Sequence, residues 1–545
     1  MMRWHIPQRP HPERSTGRAA RRTPWLRTAA PLAATLFGAG LLIGLGGTPR
    51  GHAAEPDGLA RRIEGLLAQE RLDHEGVALV LRSPSQAEPL YALRPAEPRI
   101  PASNVKLVVS YVALRELTPN FRWRTRFFLV EEQDDPRLPP RQGLLVEGGG
   151  DPTLTRADLD TIALRLRLTG LDRIDGHLFY DDRMFEGPAY PEAWGPIEDE
   201  MPWYAPVSPF ILNLNTAGFL IVVGGDGTRV DVIPQPPLPE ARIFSQFNWI
   251  EDGRESIRLR QLPSVNGLAF SVSGDLLPLE RTFSVATAII DPVDHFFRQL
   301  RWSLQQAGLG GQLPLSQFSG TTPVAGPVYT HYSRPLGAYL REVNKESNNL
   351  VAEVMLRALA LRQKEVGITS EDGLAVVNEV VAHDFPEYAE QLRFFDGSGL
   401  SRDNRVTAGF IVALLERVLT RFEFRAEYLS SLSVGGWDGT LQNRSFPRRQ
   451  WGRIRAKSGT LKGVQNLSGY FNFGSDLVVF SFLIQDDPRD YLSLQRAQDR
   501  VISGIFDSFI ENAAPPASAK TYRPPMPAPP VPEPKRQQLS AVSAQ

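Results

Sequence analysis

Three short clusters of polar residues, widely separated along the chain, constrain the fold more than any other feature of the sequence. In chain order they are Ser103-Asn104-Val105-Lys106, Ser347-Asn348-Asn349 and Lys457-Ser458-Gly459-Thr460. Each cluster alone is weak evidence, because two or three fixed residue types recur by chance in 545 residues. Together they supply a hydroxyl nucleophile, a base, a proton relay and a group that can bind a carboxylate. A fold that uses them must bring three distant segments to one place.

The first cluster is predicted to start a buried helix. Residues 99–102 read as a loop, and the apolar run 107–114 that follows is long enough for such a helix. Residues three apart on a helix are neighbours, so the Lys106 amine can reach the Ser103 hydroxyl. This predicts Ser103 as a nucleophile and Lys106 as its base. The alternative is that Ser103 is an ordinary helix N-cap and Lys106 a solvated side chain.

Lys106 needs a lowered pKa to act as a base near neutral pH. The free lysine side chain has a pKa of roughly 10.4, and burial or a nearby cation pushes that pKa down. Lys457, in the third cluster, is the candidate for that cation.

The second cluster also has two interpretations. Ser347 and Asn349 lie where a polar turn feeds an amphipathic helix, and Ser and Asn are common helix caps. In the functional interpretation Ser347 passes a proton to the leaving group, while the Asn349 amide holds the substrate backbone.

The third cluster is followed by two strand-like runs, 467–473 and 477–484. It is either an ordinary turn or a site where Lys457, Ser458 and Thr460 receive a carboxylate. A glycine within a strand, here Gly459, indicates close approach of another backbone, such as that of a substrate peptide.

The order of the clusters resembles the Ser-x-x-Lys, Ser-x-Asn and Lys-Thr-Gly set of penicillin-binding enzymes. The first and second serines lie 244 positions apart, which indicates a large insertion. This spacing is similar to class C low-molecular-mass penicillin-binding proteins, the D-alanyl-D-alanine carboxypeptidase/endopeptidase family of serine DD-peptidases. Further landmarks are residues 148–154, 180–182, 203–208, 212–215, 396–402 and 439–441. The likeness covers about Gly58 to Phe509; the one plain departure is Ser458, where the family usually has Thr.

The resemblance implies an α/β (α+β) fold. It has a transpeptidase-like, serine β-lactamase-like domain, an antiparallel sheet flanked by helices, with β-rich accessory domains inserted after the nucleophile helix. We expect a signal peptide at 1–54 and a disordered Pro-rich tail at 513–545. Between them, the transpeptidase-like domain is expected to be split into an N-terminal segment at 57–119 and a C-terminal segment at 325–512, separated by the inserted β-rich domain or domains at 120–324.

The resemblance also implies a mechanism. Ser103 attacks the carbonyl between two D-alanines of a peptidoglycan stem peptide, and neutral Lys106 takes its proton. The oxyanion lies between the backbone N–H groups of Ser103 and Thr460. Ser347 and Lys106 pass the proton to the departing D-alanine, and Asn349 orients the substrate. The terminal carboxylate is recognised by Lys457, Ser458 and Thr460.

The same chemistry cleaves cross-bridges if the leaving group is the side-chain amine of a cross-linked diamino acid. We therefore expect peptidoglycan stem peptides and cross-links as substrates and β-lactam antibiotics as covalent inhibitors. Two rivals remain: a serine β-lactamase, against which the 244-residue spacing argues, and a catalytically silent module that binds peptidoglycan.

The N-terminal residues 1–54 read as an export signal, with seven arginines ahead of an apolar run and small residues near a cleavage point after Ala53 or Ala54. We expect a periplasmic protein with at most peripheral membrane association, although an uncleaved segment would serve as an N-terminal anchor. Without residues 1–54 the chain has 52 basic and 60 acidic residues, so no nucleic-acid partner is expected.

Residue types that would support other chemistries are missing or scattered. The chain has no cysteine, and its eight histidines form no zinc-binding motif, so no cofactor or metal is expected. The tail from Ala513 is too rich in proline to bury a core and is expected to be a spacer. A wall-synthesis partner that binds this tail is the alternative.

Overall fold

The computed structural model describes residues 56–512 except 134, 135, 138, 198, 199, 225–228, 240, 264–266, 321–324 and 475. Contacts divide the chain into Met1–Gly51 and His52–Gln545, and all of the described residues belong to the second unit. The predicted export signal and Pro-rich tail therefore lie outside the described residues.

The helices are α1 (Pro56–Gln69), α2 (Val105–Glu116), α3 (Arg156–Leu168), α4 (Pro292–Gln306), α5 (Leu336–Asn344), α6 (Asn349–Ala358), α7 (Ser370–Asp384), α8 (Ala408–Thr420), α9 (Arg425–Ser431) and α10 (Tyr491–Asn512). The strands before the insertion are β1 (Val77–Arg82) and β2 (Tyr91–Leu93). Those of the insertion are β3 (Arg124–Glu132), β4 (Arg141–Glu147), β5 (Leu178–Asp181), β6 (Thr216–Val223), β7 (Val230–Pro234), β8 (Arg242–Trp249), β9 (Ser256–Leu262), β10 (Ala269–Leu276), β11 (Arg281–Ala288), β12 (Leu315–Gln317) and β13 (Tyr329–Tyr332). The last strands are β14 (Ser433–Val434), β15 (Ile454–Leu461), β16 (Val464–Asn472) and β17 (Leu477–Ile484).

A six-stranded antiparallel sheet, in the order β14-β15-β16-β17-β1-β2, carries the site. Successive side chains of a strand point to opposite faces. On β1, accordingly, Val77 and Leu79 pack into a core with α1 and α10, whereas Ala78 and Val80 pack into a core with α2, α6 and α8. The predicted antiparallel sheet flanked by helices is confirmed.

Helix α2 runs through the larger of these two cores. Every residue from Val105 to Leu114 is buried, because the helix is apolar on nearly all sides. The Tyr428 hydroxyl donates to the Leu107 carbonyl at 2.9 Å, and the Asn344 amide donates to the Ser110 hydroxyl at 3.1 Å. These contacts join α2 to α9 and α5.

The described residues of the inserted segment form three sheets. A five-stranded sheet has the order β12-β5-β4-β3-β13, and two three-stranded sheets have the orders β11-β6-β7 and β8-β10-β9. Helices α3 and α4 pack together on the five-stranded sheet, so the segment is less purely β than its sequence suggested. Strand β13 ends at Tyr332, which is eight residues past the boundary predicted at 324. The domain boundaries stay predictions.

Among the helices of the described residues, none combines the length and apolar character that crossing a membrane requires.

Candidate active site

Ser103 lies in a tight turn that leads into α2. The 3₁₀ turn spans Ala102–Asn104, and the residue that precedes α2 is Asn104, whose side chain makes no capping bond. The Asn104 amide instead donates to the Ser468 hydroxyl on β16 at 2.8 Å. Ala102 has a φ of 45°, a left-handed conformation that a non-glycine residue adopts only when its surroundings impose it. The turn is therefore held by the sheet, and Ser103 does not act as a helix cap.

The amine of Lys106 is fully buried beside the Ser103 hydroxyl. Its Nζ lies 2.9 Å from Ser103 Oγ and 2.7 Å from Asn349 Oδ1, and it also donates to the Ser398 carbonyl. A neutral amine has two N–H groups and one lone pair. Because Asn349 Oδ1 and the Ser398 carbonyl are acceptors only, they take the two N–H groups and leave the lone pair for the Ser103 hydroxyl.

The pKa values of the two site lysines are both low. Burial lowers the pKa of Lys106 to about 7, against the raising effect of the Asp396 and Glu353 carboxylates. Burial also lowers the pKa of Lys457 well below its usual range, and the charge of Lys106 lowers it further. The sequence suggested Lys457 as the cation that lowers the Lys106 pKa, but it is burial that lowers that pKa.

A carboxylate network holds the carbonyl that contacts Lys106. Glu353 Oε1, on α6, accepts the backbone N–H groups of Gly397 at 3.0 Å and Ser398 at 2.8 Å. Asp396 accepts the Ser398 hydroxyl at 3.0 Å and the Gly399 N–H at 2.9 Å. The sequence marks residues 396–402 only as a landmark, and no motif points to Glu353. The part of this network that contacts Lys106 is the Ser398 main-chain carbonyl, which carries almost no sequence signal.

The second cluster sits at the start of α6. Asn348 is the N-cap, and its side chain accepts the Val351 N–H at 3.0 Å. Ser347 has a φ of 58° and does not cap the helix; its hydroxyl accepts a bond from Lys457 Nζ at 2.8 Å. Asn349 Nδ2 donates to the Trp203 carbonyl at 3.0 Å, which places part of the inserted segment at the site.

The third cluster lies on β15. Strand β14 pairs only with Ala456 and Arg455, so residues 457–461 have an outer edge that no strand of the described residues covers. A Cβ placed on Gly459 would lie 2.8 Å from the Pro101 carbonyl and 3.1 Å from Ser103 N, so glycine permits this close approach. Such an open edge can receive an extended peptide as an added strand.

The hydroxyls of the third cluster have neighbours of their own. Ser458 Oγ donates to Thr440 Oγ1 at 2.8 Å, and Thr460 Oγ1 donates to Gln465 Oε1 at 3.2 Å. Lys457 Nζ also donates to the Ser458 carbonyl at 2.8 Å. Thr440 belongs to 439–441, a second landmark for which the sequence gave no role.

The structure thus brings the predicted residues together in two linked groups. Ser103, Lys106 and Asn349 form one, and Ser347 and Lys457 form the other, beside the open edge of β15. A hydroxyl beside an amine of low pKa, next to an open strand edge, is an arrangement that can carry out acyl transfer from a bound peptide.

Comparisons with known proteins identify the family. The D-Ala-D-Ala carboxypeptidase 3 (S13) family matches residues 59–503. The chain belongs to this family, and the predicted resemblance to low-molecular-mass serine DD-peptidases is confirmed.

Individual relatives agree with the family match. The chain is 27% identical over 496 residues to the D-alanyl-D-alanine carboxypeptidase of Actinomadura sp. (strain R39), covering 86% of this chain and 88% of that protein. It is 25% identical over 383 residues to D-alanyl-D-alanine carboxypeptidase DacB of Haemophilus influenzae, covering 68% and 76%. The crystal structure of penicillin-binding protein 4 (dacB) from Haemophilus influenzae matches with a TM-score of 0.67 at 21% identity, over 82% of this chain and 99% of that one. The predicted fold is confirmed.

Proposed function

We propose that this chain is a serine-type D-Ala-D-Ala carboxypeptidase that also cleaves peptide cross-links, and that both reactions pass through an acyl-enzyme on Ser103. Membership of the D-Ala-D-Ala carboxypeptidase 3 (S13) family supports the carboxypeptidase activity. The observation that carries the mechanism is the 2.9 Å contact between Ser103 Oγ and Lys106 Nζ, together with a Lys106 pKa of about 7.

In the acylation step, Ser103 Oγ attacks the carbonyl carbon between the two D-alanines while the Lys106 lone pair accepts the hydroxyl proton. The new C–O bond leaves negative charge on the carbonyl oxygen. The backbone N–H groups of Ser103 and Thr460 stabilise this oxyanion, each typically contributing about 3 kcal/mol. The close approach of Gly459 to Ser103 N supports this pairing of donors, since it places the β15 backbone beside the nucleophile.

The leaving D-alanine needs a proton on its nitrogen as the C–N bond breaks. Lys106 holds the proton taken from Ser103, and Ser347, hydrogen-bonded to Lys457, completes a relay to the leaving nitrogen. Asn349 is fixed by Lys106 and by the Trp203 carbonyl, so its amide is oriented to position the substrate backbone. Water then attacks the ester with Lys106 as base and releases the shortened peptide.

Substrate recognition follows from the edge of β15. The stem peptide pairs with residues 457–461 as an added strand, and its terminal carboxylate is bound by Lys457, Ser458 and Thr460. When the leaving amine belongs to a second stem peptide, the same steps open a cross-link. β-Lactams acylate Ser103 because they mimic the D-alanyl dipeptide, and the known relatives act as D-alanyl-D-alanine carboxypeptidases.

We place the protein in the periplasm, where its substrate lies. The basic and apolar sequence of residues 1–54 supports export. Contact of the Pro-rich tail with a wall-synthesis partner rests on composition alone.

The test is release of D-alanine from a peptide that ends in D-Ala-D-Ala. The wild-type protein should release it, Ser103→Ala should not, and Ser430→Ala, which alters an exposed serine of α9, should behave as wild type. Equal activity of Ser103→Ala and wild type would contradict the assignment. No release by either protein would favour the silent peptidoglycan-binding rival, and sustained turnover of benzylpenicillin would favour the β-lactamase rival.

A further inference from the structure

Two exposed tryptophans flank the paired strands β14 and β15. Trp437 is 63% exposed and Trp451 is 38% exposed, although tryptophan normally buries most of its surface. Trp437 lies between β14 and the 3₁₀ turn Gly439–Leu441, and Trp451 precedes β15. We refer to Trp437 and Trp451 as the indole platform.

Two glycines support the rings from below. A Cβ on Gly452 would lie 2.8 Å from the six-membered ring of Trp437, and one on Gly436 would lie 2.5 Å from Trp451 Cγ. Each indole therefore rests directly on main chain. Trp451 Nε1 also donates to the Phe446 carbonyl at 2.9 Å. The rings are held in place, so little conformational entropy would be lost when a ligand packs on them.

The loop that carries Trp437 is joined to both the second and the third cluster. Thr440 accepts the Ser458 hydroxyl at 2.8 Å, and the Thr440 N–H donates to the Lys345 carbonyl at 3.0 Å. The Asp438 carboxylate forms an ion pair with the Lys345 ammonium. Lys345 is two residues from Ser347. The indole platform is thus attached to the end of the site that binds the terminal carboxylate.

We propose that the indole platform binds the second stem peptide of a cross-linked substrate, the peptide that carries the leaving amine. This inference rests on the proposed function. An uncross-linked stem peptide ends at the carboxylate-binding residues. A cross-linked substrate continues past them, and the next exposed surface along the 435–441 loop is Trp437.

The chemistry of the platform fits a peptide that bears carboxylates. The methylene chain of a diamino acid can pack on an indole face, and buried tryptophans dominate the binding energy of many interfaces. The exposed Arg448 guanidinium lies 5.6 Å from the centre of the Trp451 ring. It supplies a positive charge for the carboxylates of the second stem peptide.

The test compares three substrates with wild type and Trp437→Ala. They are a peptide that ends in D-Ala-D-Ala, a cross-linked peptide dimer without sugars, and the same dimer carrying its disaccharides. We expect the ratio of kcat/KM for either dimer to kcat/KM for the single peptide to fall about tenfold in Trp437→Ala. In Trp437→Phe this ratio should fall less than in Trp437→Ala. The control Trp249→Ala, which removes a 41% exposed tryptophan from β8, should leave the ratio unchanged.

Other outcomes would overturn the inference in distinct ways. An unchanged ratio in Trp437→Ala would show that the platform does not contact the second peptide. A fall seen only with the dimer that carries disaccharides would assign the platform to the glycan. If wild type released D-alanine but left both dimers intact, the platform proposal alone would fail, whereas loss of all activity on all three substrates would refute the proposed function itself.

Discussion

Acylation of Ser103 by benzylpenicillin should depend on pH through the buried amine of Lys106, with a midpoint near 7. The second-order rate constant of acylation reports the protonation of the free enzyme. Only the neutral amine can accept the hydroxyl proton, and burial lowers the pKa of Lys106 to about 7. The rate constant should therefore rise with pH through neutrality and level off above it.

The magnitude follows from the fraction of neutral amine. With a pKa of about 7, that fraction is about 0.9 at pH 8 and about 0.01 at pH 5, so acylation should slow about 90-fold between these values. An unperturbed lysine with a pKa of roughly 10.4 would give no plateau, and the rate would keep rising to pH 10. At pH 7 the shift makes the neutral form about 1,000-fold more abundant than it would be in free lysine.

The assay is stopped-flow or quenched acylation from pH 5 to pH 10, at constant ionic strength, with Glu353→Gln alongside wild type. The Glu353 carboxylate raises the pKa of Lys106. Glutamine keeps an oxygen that can accept the bonds from Gly397 and Ser398. Because it removes the charge that raises the Lys106 pKa, this variant should acylate faster relative to wild type at pH 6 than at pH 8. A wild-type rate that climbs without a plateau up to pH 10 would refute the assignment of Lys106 as a base of lowered pKa.

Three further predictions concern other residues. Lys457→Ala should lower kcat/KM by about 10- to 100-fold for a peptide with a free carboxylate but much less for its C-terminal amide, as peptide-release kinetics would show. Gly459→Ala should slow benzylpenicillin acylation at least tenfold, because its Cβ would lie 2.8 Å from the Pro101 carbonyl; an unchanged rate would contradict this. Burial lowers the pKa of His295 from 6.5 to about 4. The unfolded chain therefore binds the proton first, and the free energy of unfolding should fall by about 3 kcal/mol as pH falls from 6.5 to 4. Urea denaturation at the two pH values should show this loss in wild type but not in His295→Leu.

The helix and strands that carry the site could be predicted from the sequence, because their apolar runs are long and unbroken. The run 107–114 became the buried core of α2, and the runs 467–473 and 477–484 became β16 and β17. Three consecutive antiparallel strands, β15 to β17, need only short turns, so their pairing also follows from chain order. The helices α3 and α4 were not anticipated, since short β-like runs dominate the sequence around them.

The supporting network of the site could not be predicted. A main-chain carbonyl, such as that of Ser398, carries no residue-type signal, and the carboxylates of Glu353 and Asp396 bind the loop that presents it. The left-handed backbone at Ser347 is likewise set by its surroundings and not by serine itself. The bond between Lys457 and Ser347 joins residues 110 positions apart and appears only once the fold is known.

Intact-mass spectrometry of the protein after incubation with benzylpenicillin tests whether Ser103 is the nucleophile that forms the acyl-enzyme. Wild type should gain the mass of one benzylpenicillin, and Ser103→Ala should gain none. An adduct of equal yield on Ser103→Ala would place the nucleophile elsewhere and contradict the assignment of Ser103. An unmodified wild-type protein without free penicilloate would show that the site does not acylate at all.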